Sequence, residues 1–111
     1  MKYRKITAIV RPSKLEHIER VFVDMKVNGV TVTRVSGYGE YHNFFRSDTM
    51  CEHSRIEIFC RAEEAEGLAQ AIMDAAHMGQ PGDGIVSILP VEQLYNIRTK
   101  AELFEATEED E

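Results

Sequence analysis

Residues 79–84 read Gly-Gln-Pro-Gly-Asp-Gly and are the part of this sequence best suited to binding an anion. Three glycines in six positions free the backbone to adopt positive φ angles and let a ligand approach without side chains in the way. Successive N–H groups in such a turn can point into one concavity and hold a phosphate. On spacing alone, the commoner interpretation is a helix end followed by a tight turn, because glycine often ends helices.

A second group of chemically capable residues lies in the stretch 40–54, which contains His42, Cys51 and His53. Imidazole and thiolate groups are the preferred ligands of zinc, but the spacing here matches no strong zinc pattern. We therefore predict no metal site.

Composition favours one ordinary globular domain, with 111 residues, 43% apolar and 29% charged. The net charge of −6 comes entirely from the last eleven residues, which carry six acids and no base. The first hundred residues are balanced in charge, which argues against a nucleic-acid partner. Residues 101–111 are predicted to be a solvated acidic tail.

The amino-terminal residues are charged but are followed by no long apolar stretch, so we predict no signal peptide. No run is long enough to span a membrane, and we expect no membrane insertion. Two cysteines are too few for a disulfide framework. The chain is therefore expected to be cytoplasmic, with Cys60 a small buried apolar residue.

Hydrophobic periodicity predicts two helices and four strands. The first helix is expected to begin with a capping box formed by Ser13 and Glu16 and to end at Asn28-Gly29. The stretch from Glu40 to Ser54 has no sustained period and is predicted to be a long loop. The other predicted elements are strands Tyr3–Val10, Val30–Val35, Arg55–Cys60 and Ile85–Leu89, and a helix Ala62–Met78.

This order is β-α-β-β-α-β, which predicts an α+β, ferredoxin-like fold with an antiparallel sheet. Both helices should cover one face of the sheet. The other face would be bare in a monomer, and its apolar content indicates packing against sister subunits.

Several segments in this order resemble the P-II signal-transduction family. They include the first strand and helix start from Ile9 to Leu15, and the second strand with the Gly-Tyr-Gly that follows it. The Gly82-Asp83-Gly84 turn and the Ile97-Arg98-Thr99 segment resemble the last third of the family. The resemblance implies a domain at 1–100, with a large loop at about 40–54, that forms a homotrimer.

The resemblance further implies a regulatory protein without catalysis that binds an adenine nucleotide in each cleft between subunits. The family positions that line the nucleotide with main-chain and apolar contacts are occupied by Ile9, Gly37, Tyr38 and Gly39. The segment that meets the adenine and ribose corresponds to Gly29, Val30 and Thr31. The strand that forms the floor under the base corresponds to Ile58 and Phe59. The phosphate-binding amides correspond to Gly82, Asp83 and Gly84. Arg98 corresponds to an arginine that reaches the phosphates from the neighbouring subunit.

Two departures from the family concern the phosphates. Ile85 stands where the family has a lysine after the Gly-Asp-Gly turn, and Asn96 stands where it has a second arginine. Each lost charge-assisted contact is worth roughly 1.5–3 kcal/mol. We therefore expect ADP or AMP to bind better than ATP.

The large loop is shorter than in the family and lacks its effector residues. Tyr41 replaces the glutamine that holds magnesium and 2-oxoglutarate, and His53 replaces the lysine that pairs with that acid. The chain thus resembles a divergent branch, of the type tied to bicarbonate uptake, carboxysomes or other transporters. Arg46, His53 and Arg55 are candidate anion-binding residues, for example for bicarbonate, and the expected partner is a membrane transporter or an enzyme.

Two alternatives stay open at this point. A small ferredoxin-like enzyme of acylphosphatase type would need a phosphate loop after the first strand, where Arg11-Pro12-Ser13-Lys14 contains no glycine. A structural or metal-tolerance trimer would bind no nucleotide.

Overall fold

The computed structural model describes residues 1–39 and 50–104. In this part of the chain, four strands form one antiparallel sheet and two helices pack on it. The strands are β1 (Tyr3–Val10), β2 (Thr31–Gly37), β3 (Cys51–Arg61) and β4 (Gly84–Val91), and the helices are α1 (Leu15–Asp24) and α2 (Ala62–Ala76). The strand order β2-β3-β1-β4 with antiparallel neighbours is the predicted ferredoxin-like arrangement.

The core lies between the helices and one face of the sheet. Alternate residues of β1 and β3 point to this face, because successive side chains in a strand point to opposite sides. Cys60 is buried as expected. The sequence spacing also predicts a buried side of α2, and all six of its residues are buried, namely Ala65, Leu68, Ala69, Ile72, Ala75 and Ala76. The fully buried large side chains are Ile6, Val10, Ile18, Ile56, Ile58 and Ile72.

Most of the other face of the sheet is uncovered in the single chain. Its apolar side chains include Phe59, Ile85 and Leu89, which are 39%, 45% and 41% exposed. The same face carries Glu57, whose carboxylate lies 2.8 Å from Lys5 Nζ across the strand pair. This face is a mixed surface of apolar side chains around a charged centre.

The start of α1 differs from the prediction. Pro12–Lys14 forms a short 3₁₀ helix, closed by the Lys14 N–H donating to the Arg11 carbonyl at 3.0 Å. In the stretch 11–25, no side chain caps this turn or α1, so the predicted capping box of Ser13 and Glu16 is wrong. Proline fixes φ and favours such a first turn, which moves Ser13 inside it.

The bounds of β3 also differ. The strand begins at Cys51, so residues 51–54 are paired with β2 instead of forming the end of the predicted loop. Their pairing partners are residues 34–37, which lengthen β2 beyond its predicted end at Val35. Residues 40–49 of the predicted loop lie outside the described residues.

Two short strands after β4 were not predicted. Tyr95–Asn96 (β5) pairs with Ala101–Glu102 (β6), and the turn between them contains Ile97 and Arg98. The Tyr3 hydroxyl donates to Glu102 at 2.8 Å, which attaches this hairpin to β1. Residues 101–104 of the predicted acidic tail are thus part of the folded structure, and residues 105–111 lie outside the described residues.

Candidate functional site

The turn at 79–84 is organised around the carboxylate of Asp83. This carboxylate accepts hydrogen bonds from the backbone N–H groups of Met78 at 3.0 Å and Gly79 at 2.9 Å. A continuing helix would send the Met78 N–H to the carbonyl four residues earlier, so the competing bond explains why α2 ends at Ala76 and not at the predicted Met78. Positive φ angles at Gly79, Gly82 and Gly84 complete the turn.

Arg11 joins this turn to the end of β1. Its guanidinium pairs with the Asp83 carboxylate and donates to the Pro81 carbonyl at 2.9 Å. Both partners are partly buried, with Arg11 and Asp83 side chains 20% and 24% exposed. Arg11 was not predicted to take part in the site, because the two residues of the pair are 72 positions apart in sequence.

The charge of Asp83 is stabilised by these contacts. Desolvation raises the pKa of Asp83, but the hydrogen bonds from the Met78 N–H, Arg11 and the Gly79 N–H outweigh it and hold the pKa at about 2. Asp83 is therefore ionised at neutral pH, and its carboxylate faces the turn's own donors. The N–H of Asp83 donates to the Gln80 carbonyl at 3.2 Å.

Gly84 allows β4 to approach β1 closely. Its φ is +108°, and a Cβ added there would lie 1.8 Å from the Ile9 carbonyl oxygen. Only glycine fits this position without moving one of the strands. The predicted residues Ile9 and Gly84 thus lie side by side, with Ile9 opposite Ile85 in the register.

His53 joins the same turn to β3. The imidazole is 5% exposed, and its Nε2 lies 3.2 Å from the Gly82 carbonyl oxygen. Because a carbonyl only accepts, Nε2 donates this bond, and Nδ1 of the neutral ring can accept from the Cys51 thiol at 3.4 Å. This geometry ties β3 to the turn at 79–84.

The other candidate anion-binding residues are placed differently. Arg55 lies on the uncovered face of the sheet, where its Nε is 3.1 Å from Glu57 Oε1, an ion pair without hydrogen-bond geometry. The Lys5 hydrogen bond is the main cause of a lowered pKa at Glu57. Arg46 lies outside the described residues.

A groove of about 580 Å³ lies at the opposite end of the sheet. It is lined by all five residues predicted for the base and ribose, namely Gly29, Val30, Thr31, Ile58 and Phe59. Leu103 and Phe104 form part of its wall and were not predicted. The Phe104 ring lies 5.9 Å from the Tyr3 ring and 6.0 Å from the Arg61 guanidinium, which fixes it at the rim.

Arg98 lies in the turn between β5 and β6. The Asn96 side-chain oxygen accepts from the N–H groups of Arg98 at 2.8 Å and Thr99 at 3.3 Å. Asn96 therefore stabilises the turn that carries Arg98. The neighbouring Ile97 is 93% exposed.

Apart from Arg98, the residues predicted for the nucleotide therefore fall into two groups. Ile9, Gly37, Tyr38, Gly39 and the turn at 82–84 lie where β1 and β2 end, whereas the groove lies where β2 begins and β3 ends. The length of β2, from Thr31 to Gly37, separates these ends by about 20 Å at 3.3 Å per residue. One chain therefore does not bring both groups around one small ligand.

Residues 3–101 match the family described as nitrogen regulatory protein P-II. The chain belongs to the P-II family. A nitrogen regulatory protein named GlnK2 from Haloferax mediterranei is 37% identical over 101 residues, which cover 85% of this chain and 82% of that protein. The nitrogen regulatory protein P-II of Pyropia yezoensis is 33% identical over 110 residues, covering 93% of this chain and 98% of that one.

A solved structure gives the same assignment. The crystal structure of Arabidopsis thaliana PII bound to citrate matches with a TM-score of 0.78 and 27% identity, covering 96% of this chain and 94% of that chain. The P-II resemblance and the α+β fold are thus confirmed. Its relatives are named as regulatory proteins, so this P-II protein is a signalling protein and not an enzyme, and the acylphosphatase alternative is not favoured.

Two further observations concern the described residues 1–39 and 50–104. Within these ranges, no group of three or more His, Cys, Asp or Glu side chains is arranged to hold a metal ion. The helices in the same ranges are too short or too polar to cross a membrane.

Proposed function

We propose that this P-II protein binds an adenine nucleotide in the clefts between the subunits of a homotrimer, with ADP or AMP preferred over ATP. In response to the nucleotide, it regulates a partner, such as a transporter or an enzyme, through the segment at residues 40–50. The proposal rests above all on the separation of the two groups of site residues at opposite ends of the sheet.

Each end supplies what the other lacks. The groove has apolar walls from the exposed side chains of Val30 and Phe59 and a volume suited to a purine nucleoside. The turn supplies N–H groups at the end of β1, where a phosphate can be held by the backbone. A subunit that presents its groove to its neighbour's turn builds one complete site per interface, and a ring of three closes all of them.

The turn's own hydrogen bonds narrow the choice of phosphate donors. The N–H groups of Met78, Gly79 and Asp83 are committed to Asp83 and Gln80, and Pro81 has none. The candidate donors to a phosphate are then the N–H groups of residues 80, 82 and 84. Arg98 of the neighbouring subunit would add a charge-assisted contact.

Calorimetric titration tests ligand choice. We expect ADP and AMP to bind more tightly than ATP, because Ile85 and Asn96 replace two cations. The titrations are repeated with cyclic AMP, and with bicarbonate or 2-oxoglutarate present. Tighter binding of ATP than of ADP would contradict the preference. Absence of any adenine-nucleotide binding would remove the proposed function and leave the structural trimer.

Thermal unfolding adds a test of the sensor against that alternative. Ligand at a hundred times its Kd stabilises the folded state by about 2.7 kcal/mol. ADP should therefore raise the melting temperature at fixed protein concentration, whereas a structural trimer would show no shift.

Mixing two variants tests whether the site is shared between subunits. Ile85→Glu places an acid beside the turn, and Arg98→Glu reverses the charge on the hairpin, so each variant alone should bind ADP poorly. If each site takes its turn from one subunit and Arg98 from the next, random mixed trimers regain about one site in four. No recovery in trimers of confirmed mass would show that both residues serve a site within one chain.

A further inference from the structure

The turn at 79–84 needs support to act as a binding site. It contains three glycines, and a free glycine-rich turn loses much conformational entropy when it orders around a ligand. Holding the turn in one form before binding removes that cost, which is the effect of preorganisation. The contacts that hold the turn in place therefore contribute to its affinity for a ligand.

Two neighbouring strands supply such contacts. Arg11, directly after β1, pairs with the Asp83 carboxylate and donates to the Pro81 carbonyl. His53, near the start of β3, donates to the Gly82 carbonyl. Since Val10 pairs with Ser54 in the sheet, both side chains reach the turn from the same end.

Arg11 is not placed as a phosphate ligand. Its guanidinium is paired with Asp83, and its remaining contact is to a backbone carbonyl of the turn. Asp83 in turn is used for the N–H groups of Met78 and Gly79. These bonds connect β1, the end of α2 and the turn through one carboxylate.

We propose that Arg11 and His53 are positioning residues, which hold the turn at 79–84 in its phosphate-receiving form through Asp83 and the Gly82 carbonyl. This inference rests on the proposed nucleotide site. It assigns to His53 a role in shaping the turn, with its buried ring oriented by Cys51. It also makes β3, which directly follows residues 40–50 in the chain, sensitive to the state of the turn.

The test compares Arg11→Met, His53→Phe and the conservative His53→Gln in the full chain. Dissociation constants for ADP and adenosine are measured for each, together with thermal unfolding and trimer mass. Arg11→Met and His53→Phe should weaken ADP by about tenfold or more and leave adenosine within about twofold, because adenosine has no phosphate to meet the turn. His53→Gln should recover most of the ADP affinity, because its amide N–H can donate to Gly82.

Hydrogen exchange supplies a second measurement that needs no ligand. The amides of Met78 and Gly79 should exchange faster in Arg11→Met than in the wild type, while core amides of β1 keep their protection. Unchanged exchange at both amides would overturn the inference, as would equal losses for ADP and adenosine or unaltered ADP binding in both disruptive variants. If the wild type binds no adenine nucleotide, the proposed function fails, whereas the exchange result still decides whether Arg11 holds the turn.

Discussion

Replacing Gly84 by alanine should strongly destabilise this protein, although the change adds one methyl group. Gly84 has φ +108°, and the new Cβ would meet the Ile9 carbonyl oxygen at 1.8 Å and the Ile9 carbonyl carbon at 2.9 Å. Real Cβ atoms do not approach that closely, so β1 and β4 must separate or the backbone must change. β1 is a central strand of the sheet, and β4, at its edge, begins directly after the turn at 79–84.

Two costs add at this position. A non-glycine residue in such a φ region costs about 1–3 kcal/mol, and overpacking a well-packed region costs typically about 1–3 kcal/mol. We therefore expect the free energy of unfolding to fall by at least about 2 kcal/mol, or about 8 °C in melting temperature at about 4 °C per kcal/mol. A native stability of about 5–15 kcal/mol leaves some folded protein to measure.

The assay is thermal unfolding at one fixed protein concentration, since oligomers melt in a concentration-dependent way. Gly67→Ala is the matched control, because Gly67 lies in α2 with no neighbouring heavy atom within 4 Å of an added Cβ. That variant should gain about 0.5–1 kcal/mol from better helix propensity. If Gly84→Ala melts within a degree or two of the wild type, the close contact between Gly84 and Ile9 does not exist.

Three other predictions concern the site. Ile85→Lys should place a cation beside the turn and shift the ratio of ATP to ADP affinity toward ATP by about tenfold or more in calorimetry. The uncharged control Ile85→Met should leave that ratio unchanged, and an equal ratio in the two variants would refute the charge effect. Asn96→Ala removes the acceptor for the Arg98 amide, so the free energy of unfolding should fall by about 1 kcal/mol and that amide should exchange hydrogen faster. Asn96→Asp keeps an acceptor oxygen and should retain the protection of the amide. Equal protection in both variants would argue against this role of Asn96. The pKa of Asp83 is lowered from 3.8 to about 2, so the stabilisation from its ionised form is complete above about pH 5 and is lost as pH falls toward 2. Over that range the melting temperature should fall less steeply in Asp83→Asn than in the wild type. Parallel melting curves of the two proteins against pH would count against the pairing.

The order of the main elements could be predicted because hydrophobic periodicity is a local signal. Six residues of α2 are buried at helical spacing, as the sequence indicated. The true start of β3 could not be predicted in the same way, because His53 is polar and becomes a strand residue through pairing with Val35 and through its bond to Gly82. The two-residue strands of the β5–β6 hairpin are too short for any periodic pattern.

The site was predictable to a similar degree. The glycines of the turn carry a signal of their own, since positive φ angles favour glycine. The pairing of Arg11 with Asp83 carries none, because it connects positions 72 residues apart and depends on the completed sheet. Family resemblance supplied the residues of the groove, and the structure adds Phe104 to its wall.

Phe104 has a practical consequence for anyone handling this protein. Its ring is fixed against Tyr3 and Arg61 at the rim of the groove, so the chain continues from there into its run of carboxylates. A purification tag or fluorophore joined close after Phe104 would be attached near the groove. Ligand affinities measured with such a fusion would include an effect of the tag itself. A label elsewhere on the surface is the better choice.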